Sequence, residues 1–333
     1  MQTVDNSQID LLEEISKKLN NKRRLVDCLA ETLCISTDSA YRRISGKTAL
    51  TFDEAVKLAS YFDLKLDGLV EKSGGTVSFD RRGILKTEND IAIHLKEMAE
   101  MMKIQIATGV QPAIYTTKDI PVFYQLYFPE LAAFKVYSWY RGLNTSEELN
   151  DPFDPDKYIS SYKNLFTDIK ILYSKLPAIE IWSEIAILGF IRQLQYYYDS
   201  GLMGNKETAL LLCDQHQQVF DLVKEQARLG CKINPDFGQQ TEVQYDLYFN
   251  ELFVMDNSAL SRLKSGKVFF NSYANFNYIP TQDEQFCQDA ESWLQNQMKR
   301  SVKLSKTREK ERNMFFSKIQ KELNELSNYI RSN

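Results

Sequence analysis

Histidine is nearly missing from this 333-residue chain, in which only His94 and His216 occur. Chemistry that depends on several imidazoles is thereby argued against, and no metal, cofactor or catalytic constellation is expected. Cysteine is sparse as well. Cys28, Cys34, Cys213, Cys231 and Cys287 are an odd number spread over the whole chain, which suits reduced thiols and not a disulfide framework. No apolar run nears the ~18 residues that a bilayer span needs, and the most apolar stretch is only Ile185 to Ile191. Met1 to Asp10 lacks a basic segment followed by an apolar one, so no secretory signal is expected and the chain reads as cytoplasmic, with no membrane partner.

Aromatic residues, by contrast, are plentiful: 19 Phe, 18 Tyr and 3 Trp in a chain that is 43% hydrophobic. Lys and Arg total 41 against 45 Asp and Glu, a formal net charge of -4, which is the balance of a globular protein and not of a disordered or histone-like one. At about 100–200 residues per domain, two or three domains are expected. The average charge conceals a segregation. Residues 17–47 carry eight basic and three acidic side chains, a local +5, and residues 299–333 carry ten and four, +6, which leaves -15 for the remainder.

The first break in the pattern falls at Ser73-Gly74-Gly75. Residues 1–72, which contain no proline, read as four or five short helices, 73–86 as a linker, and 87–333 as a larger, mostly helical region. Glu88 to Thr108 predicts a long helix with Ile91, Leu95, Met98, Met102 and Ile106 on one face. Ala113 to Pro121 predicts a strand or extended segment, followed by helices from Phe128 to Arg141, Asp156 to Ser174, Ile181 to Ser200 and Lys206 to Leu229. Alternation at period two and aromatic runs over 241–279 predict a small antiparallel sheet. Helices follow over 281–330. In the last, Phe316, Ile319, Leu323, Leu326 and Ile330 form a short heptad seam, which suits either packing on the same chain or a dimer contact.

The most informative stretch is Leu25 to Leu69. Leu25, Leu29, Ala30 and Leu33 make an apolar helix face, and Cys34-Ile35-Ser36 a tight turn. Ser36 is placed to cap a second helix, Thr37 to Ser45, and Gly46 to end it in the left-handed conformation. Thr51 with Glu54 reads as a capping box that opens a third helix, whose face is Ala55, Leu58, Ala59 and Phe62. A helix, a tight turn and a capped helix on an all-α scaffold form the geometry that lays one helix in the DNA major groove.

The pattern Leu29-Ala30-x-x-Leu33-x-Ile35-Ser36, then Ser45-Gly46-Lys47, Leu58-Ala59 and Leu66-Asp67-x-Leu69, resembles the Cro and phage-repressor (Xre-type) class of helix-turn-helix domains over residues 9–71. The resemblance implies that Ser36, Thr37, Asp38, Ser39 and Arg42 face base edges or adjoining phosphates, while Arg43, Lys47, Lys22, Arg23 and Arg24 flank the DNA backbone. Two positions depart from the family pattern: Asp38, where basic or amide residues are usual, and Arg43, where an apolar residue is usual, which shifts burial to Ala40 and Ile44.

Other motifs stop short. Ser45-Gly46-Lys47-Thr48 looks like the end of a phosphate-binding loop, but Tyr41 stands where that loop needs glycine, and Ser261 does so ahead of Gly266-Lys267. Cys213 and His216 make half a zinc site with no second half, and read as a buried thiol beside a surface histidine. The aromatic cluster from Tyr115 to Tyr140 and the run Tyr196-Tyr197-Tyr198 suit core packing, with an effector pocket or a partner surface as the alternative.

The fold class expected is thus mainly α, a lambda-repressor-like helix-turn-helix domain joined to a larger helical domain with a small antiparallel sheet (α+β). The function expected is a sequence-specific, DNA-binding transcriptional regulator and not an enzyme. It would bind double-stranded DNA as a homodimer, with the C-terminal region dimerising or sensing a small-molecule or peptide effector. The chain as a whole, with Lys118-Asp119-Ile120-Pro121 ahead of an aromatic helix, is also similar to uncharacterised transcriptional regulators of Bacteroides-type bacteria. The alternative is a scaffold or peptide-receptor-like helical protein whose helix-turn-helix module does not read DNA, against which the missing repeat of ~34 residues counts.

Overall fold

The computed structural model describes residues 7–19, 24–64, 66, 77–80, 83, 85–108, 111–143, 151–236, 238–251, 256–273 and 277–333. The chain divides into two compact units, Met1–Thr76 and Val77–Asn333.

The first unit contains α1 (Ser7–Lys18), α2 (Leu25–Leu33), α3 (Thr37–Ile44) and α4 (Phe52–Tyr61) around an aliphatic core that includes Leu12, Ile15, Leu29, Leu33, Ala40 and Leu58. Local chemistry sets its turns. Cys34 ends α2 at a left-handed φ of 56°, and the following Ile35 N–H returns to Ala30 O at 3.0 Å, the C-terminal device in which glycine is more usual. Ser36 Oγ accepts from Ser39 N–H at 3.2 Å and so starts α3. Thr51 and Glu54 satisfy each other's backbone N–H groups in a complete capping box at α4. One tie has no local signature. Gln8 of α1 donates to Arg43 O at 2.7 Å and Thr48 O at 3.1 Å, and accepts from Leu50 N–H at 2.8 Å, so α1 clamps the connection between α3 and α4.

The second unit corrects the expected small antiparallel sheet over 241–279. Its sheet is mixed, has eight strands among the described residues, and begins more than a hundred residues earlier, with β1 (Ala113–Thr117) and β2 (Ala178–Trp182). These precede β3 (Cys231–Ile233), β4 (Gln240–Phe249), β5 (Ser258–Leu263), β6 (Gly266–Tyr273), β7 (Asn277–Thr281) and β8 (Val302–Lys303). The order is β3-β4-β2-β1-β5-β6-β7, with β8 on β4; β2 pairs parallel with both β1 and β4, and β5, β6 and β7 form an antiparallel meander. A strand covered on both faces is a short apolar run without alternation, and such a run matches a buried helical turn equally well. That is why 178–182 merges, in the sequence, with the helix that follows it.

Helices α5 (Glu88–Thr108), α6 (Val122–Gln125), α7 (Pro129–Leu143), α8 (Pro155–Ser174), α9 (Ile185–Asp199), α10 (Lys206–Leu229) and α12 (Glu309–Ser332) share one large core with Ala178, Trp182, Tyr245, Leu247 and Phe249 of the sheet. The opposite face, with Ile114, Ile181 and Leu260, packs on Cys287 and Leu294 of α11 (Glu284–Arg300). Gly230 closes α10 at φ 73°, and a Cβ there would collide with the Lys306 stem. Segment 77–80, expected in the linker, packs on this unit: Asp80 N–H donates to Pro280 O at 2.8 Å, and Thr281 Oγ1 to Ser78 O at 2.7 Å.

The heptad seam is likewise settled. Phe316, Ile319, Leu323, Leu326 and Ile330 are all buried in the unit's own core, where α12 packs on α10 and α9. The dimer contact that this seam left open is therefore corrected, because its apolar side chains are already consumed within the chain. Among the described residues no helix is long and apolar enough to cross a membrane.

Candidate functional site

On the first unit, α3 turns Thr37, Asp38, Tyr41 and Arg42 to solvent and buries Ala40, with Ile44 half-buried. Arg42 pairs with Asp38 at 3.1 Å across one helical turn, with side chains 63% and 74% exposed. Such a pair is worth only ~0.3–0.5 kcal/mol, so the guanidinium can exchange it for a phosphate or a base edge. Lys47 and Arg24 are exposed on either side of this helix in the sequence. Lys22 and Arg23 lie outside the described residues.

Arg43 is placed differently from the expectation that it flanks DNA. Its Nη2 and Nε meet the Glu54 carboxylate at 2.7 and 3.1 Å, and Nη1 donates to Ser39 O at 3.3 Å. The guanidinium thus joins α3 to the capping box of α4, and its hydrogen bonds hold the Glu54 carboxyl below the usual range. Ser36 and Ser39 share a hydroxyl hydrogen bond of 3.0 Å and serve the start of α3. Lys18 also works internally, donating to Phe62 O at 2.9 Å and Asp63 O at 2.6 Å at the end of α4. Tyr41, 56% exposed, belongs to the outer face of α3. Its signal was in the sequence, since it lies three residues beyond Asp38 and therefore on the same side of a helix.

In the second unit a cavity of about 290 Å³ opens between α5 and the antiparallel half of the sheet, at the carboxyl end of β1. The carboxyl ends of parallel strands are where open α/β sheets place ligands. One cross-strand row, Tyr115, Ala259, Phe270 and Pro280, forms its floor. Met98 and Met102 of α5, Phe123 of α6 and Trp139 of α7 line its sides.

The polar end of the cavity is built by the turn after β1. Asn257 Oδ1 accepts from the N–H groups of Lys118 and Asp119 at 2.7 and 3.3 Å, which orients Asp119. Asp119 Oδ2 then accepts from the buried Lys135 ammonium at 2.5 Å, and Lys135 also reaches Gln193 Oε1 at 3.4 Å. Asp119 Oδ1 and Thr117 Oγ1 are buried and have no hydrogen-bond partner. Burial, reinforced by the Asp119 charge, pushes the Tyr278 phenol up to about 12. An apolar, ring-lined space with a few convergent polar groups is the chemistry of a binding site. Of the expected aromatic cluster, Tyr115, Phe123 and Trp139 reach this space, whereas Tyr124 and Phe134 are core.

A second polar constellation is closed. Glu180 of β2 accepts from Tyr124 Oη at 2.9 Å, Trp182 Nε1 at 2.9 Å, Tyr245 Oη at 3.1 Å and, more closely, Tyr173 Oη. The Lys232 ammonium lies 3.6 Å from this carboxylate and 3.7 Å from the Tyr173 ring centre. Burial pulls Lys232 down to about 8 against the opposing attraction of Glu180, and burial followed by the Glu180 charge raises the three phenols well above their usual value. All six side chains are buried and none lines the cavity, so the constellation is an interior brace.

His216 corrects the expectation of a surface histidine. It is fully buried and stacked on Phe190 at 3.5 Å, and burial first, then the Lys135 charge, keeps it neutral. Cys213 is buried beside it in sequence, its thiol pushed up to about 11 by burial. No group of three or more His, Cys, Asp or Glu that could hold a metal ion occurs among the described residues. The chain was compared with family models, curated proteins and solved structures, and none of them matches it.

Proposed function

We propose that the chain is a cytoplasmic, sequence-specific DNA-binding regulator of transcription in which α3 enters the major groove and the second unit carries the dimer contact and an effector site. The observation that carries this reading is the α2–turn–α3 arrangement: an eight-residue helix, capped by Ser36 and seated on a small aliphatic core, with Asp38, Tyr41 and Arg42 facing outward. In this reading Arg42 meets a guanine edge or a phosphate, Asp38 accepts from a cytosine amine, and Lys47 and Arg24 hold the DNA backbone.

A gel shift at graded salt, on the DNA upstream of the protein's own coding region, tests it. Retention should weaken steeply with salt, by a log–log slope of about 0.9 for each phosphate neutralised. Arg42→Ala should cost about 1–3 kcal/mol of affinity and Lys47→Ala about one unit of that slope. No retention even at low salt would overturn the proposal.

One observation favours a second reading, in which the module docks on a protein. Phe52 and Val56, one turn apart on α4, are 79% and 40% exposed. On that reading Phe52→Ser would abolish association while Arg42→Ala would leave it intact.

A further inference from the structure

We propose that the cavity between α5 and the β1–β5–β6–β7 face takes an uncharged, flat aromatic ligand of one or two fused rings bearing a hydroxyl or N–H donor. That this ligand acts as an effector rests on the regulator reading above; that it binds does not.

Three features of the cavity set the ligand's chemistry. Its floor and sides are rings and thioethers, with Tyr115, Phe270, Trp139 and Met102 among them, and flat aromatic faces gain most from such surfaces. At about 290 Å³ it stands at the lower end of the ~300–1,000 Å³ usual for ligand pockets, which limits the occupant to one or two rings. Its charges are already spent. Lys135 and Asp119 neutralise each other, and His94 and Glu97 on the α5 wall are each engaged in an interaction of their own. An ionic ligand would give up its hydration without meeting an uncompensated charge.

The end of β1 is where the cavity calls for a donor. Asp119 Oδ1 can only accept while ionised, and Thr117 Oγ1, on a residue 4% exposed, can accept or donate; neither has a hydrogen-bond partner. Buried acceptors left unmade are costly, and a ligand O–H or N–H placed at the end of β1 removes that cost. An ether or a bare hydrocarbon of the same shape does not.

Calorimetric titration of the full chain with 2-naphthol, 2-methoxynaphthalene and 2-naphthoate tests the assignment. Saturable one-to-one binding of 2-naphthol is expected, with 2-methoxynaphthalene and 2-naphthoate each at least about tenfold weaker. Thr117→Val should bring 2-naphthol closer to the methoxy compound. Spectra of methyl-labelled methionine should show Met98, Met101 and Met102 shifting on saturation while Met314, exposed on α12, stays still, a readout that needs no variant. Gly189→Leu places a side chain against Asp119 and should block binding, since even a Cβ there lies 3.7 Å from Oδ1. No saturation by 2-naphthol, equal or tighter binding of the ether or the anion, or shifts confined to other methionines would overturn the proposal. Gel shifts with and without 2-naphthol separate the two claims. Binding with unchanged DNA retention removes the effector role alone, whereas failure of all DNA retention removes the regulator reading and leaves the ligand site standing.

Discussion

Among the described residues the first unit keeps its charges outside an aliphatic interior, whereas the second takes Lys232, Glu180 and His216 inside and surrounds them with rings. Size underlies the difference, because a small domain has too little depth to repay the desolvation of a charge and secures its helices with caps and short side-chain ties instead. The larger unit has room for a buried brace and, separately, for a cavity whose polar end is left incomplete. In the first unit the weakly paired Asp38 and Arg42 face solvent, and half-buried Arg43 holds the frame. The second reverses this, with its incomplete groups inside.

Lys232→Met would strain this contrast most. It leaves Glu180 buried without its counter-charge and should cost the second unit about 3–5 kcal/mol, read by urea unfolding followed in the near-ultraviolet aromatic signal. A first unit that lost stability equally would show the two to be one cooperative block. The same residue predicts a pH profile. Folded Lys232 titrates near 8 against 10.5 in the open chain, so between these values the unfolded state binds more protons and the second unit gains stability as pH rises. Close to pH 10 the gain reverses, because the unfolded phenols ionise while buried Tyr124, Tyr173 and Tyr245 resist. Lys232→Met should abolish the rise and keep the fall.

Glu54→Ala removes the Arg43 pair and half of the capping box, and should cost the first unit about 2 kcal/mol in thermal unfolding. Because the folded Glu54 carboxyl sits below its usual value, that stability is present above pH ~4.5 and disappears as pH falls through the folded value, so the variant should show a flatter acid limb. Ser36→Ala should cost about 1 kcal/mol, with α3 helicity as the readout. Lys321→Ala breaks only the exposed pair with Glu325 at 3.7 Å and should change stability by less than about 0.5 kcal/mol; a larger effect would mean that surface charge matters more to the second unit than its buried brace implies.

Much of the first unit could be read from neighbouring residues. The Ser36 cap, the Gly46 exit and the Thr51–Glu54 box each span three residues or fewer, and α10 runs from Lys206 to Leu229 as its periodicity predicts. Arg43 could not be read that way, since its partner Glu54 lies eleven positions on, beyond any helical spacing. The basic surface counted over 17–47 shrinks for the same reason, as exposed Lys18 is held by carbonyls at the end of α4 and Arg43 turns in to a carboxylate.

In the second unit the long helices were legible and the sheet was not. Ala113 pairs with Ala178 and Ala178 with Tyr245, contacts for which short apolar runs carry no register. The α12 seam showed that one face had to be covered and left open by what; α10 and α9 cover it. Likewise, abundance of aromatic residues announced a large core, but whether a given ring joined that core, the Glu180 brace or the cavity floor depended on strand pairing. Caps, turns and helix faces follow from interactions a few residues apart, which a linear chain displays. Parallel pairing, the cavity and the buried charges arise where distant segments meet, and there closure entropy and burial choose among patterns that look alike in one dimension.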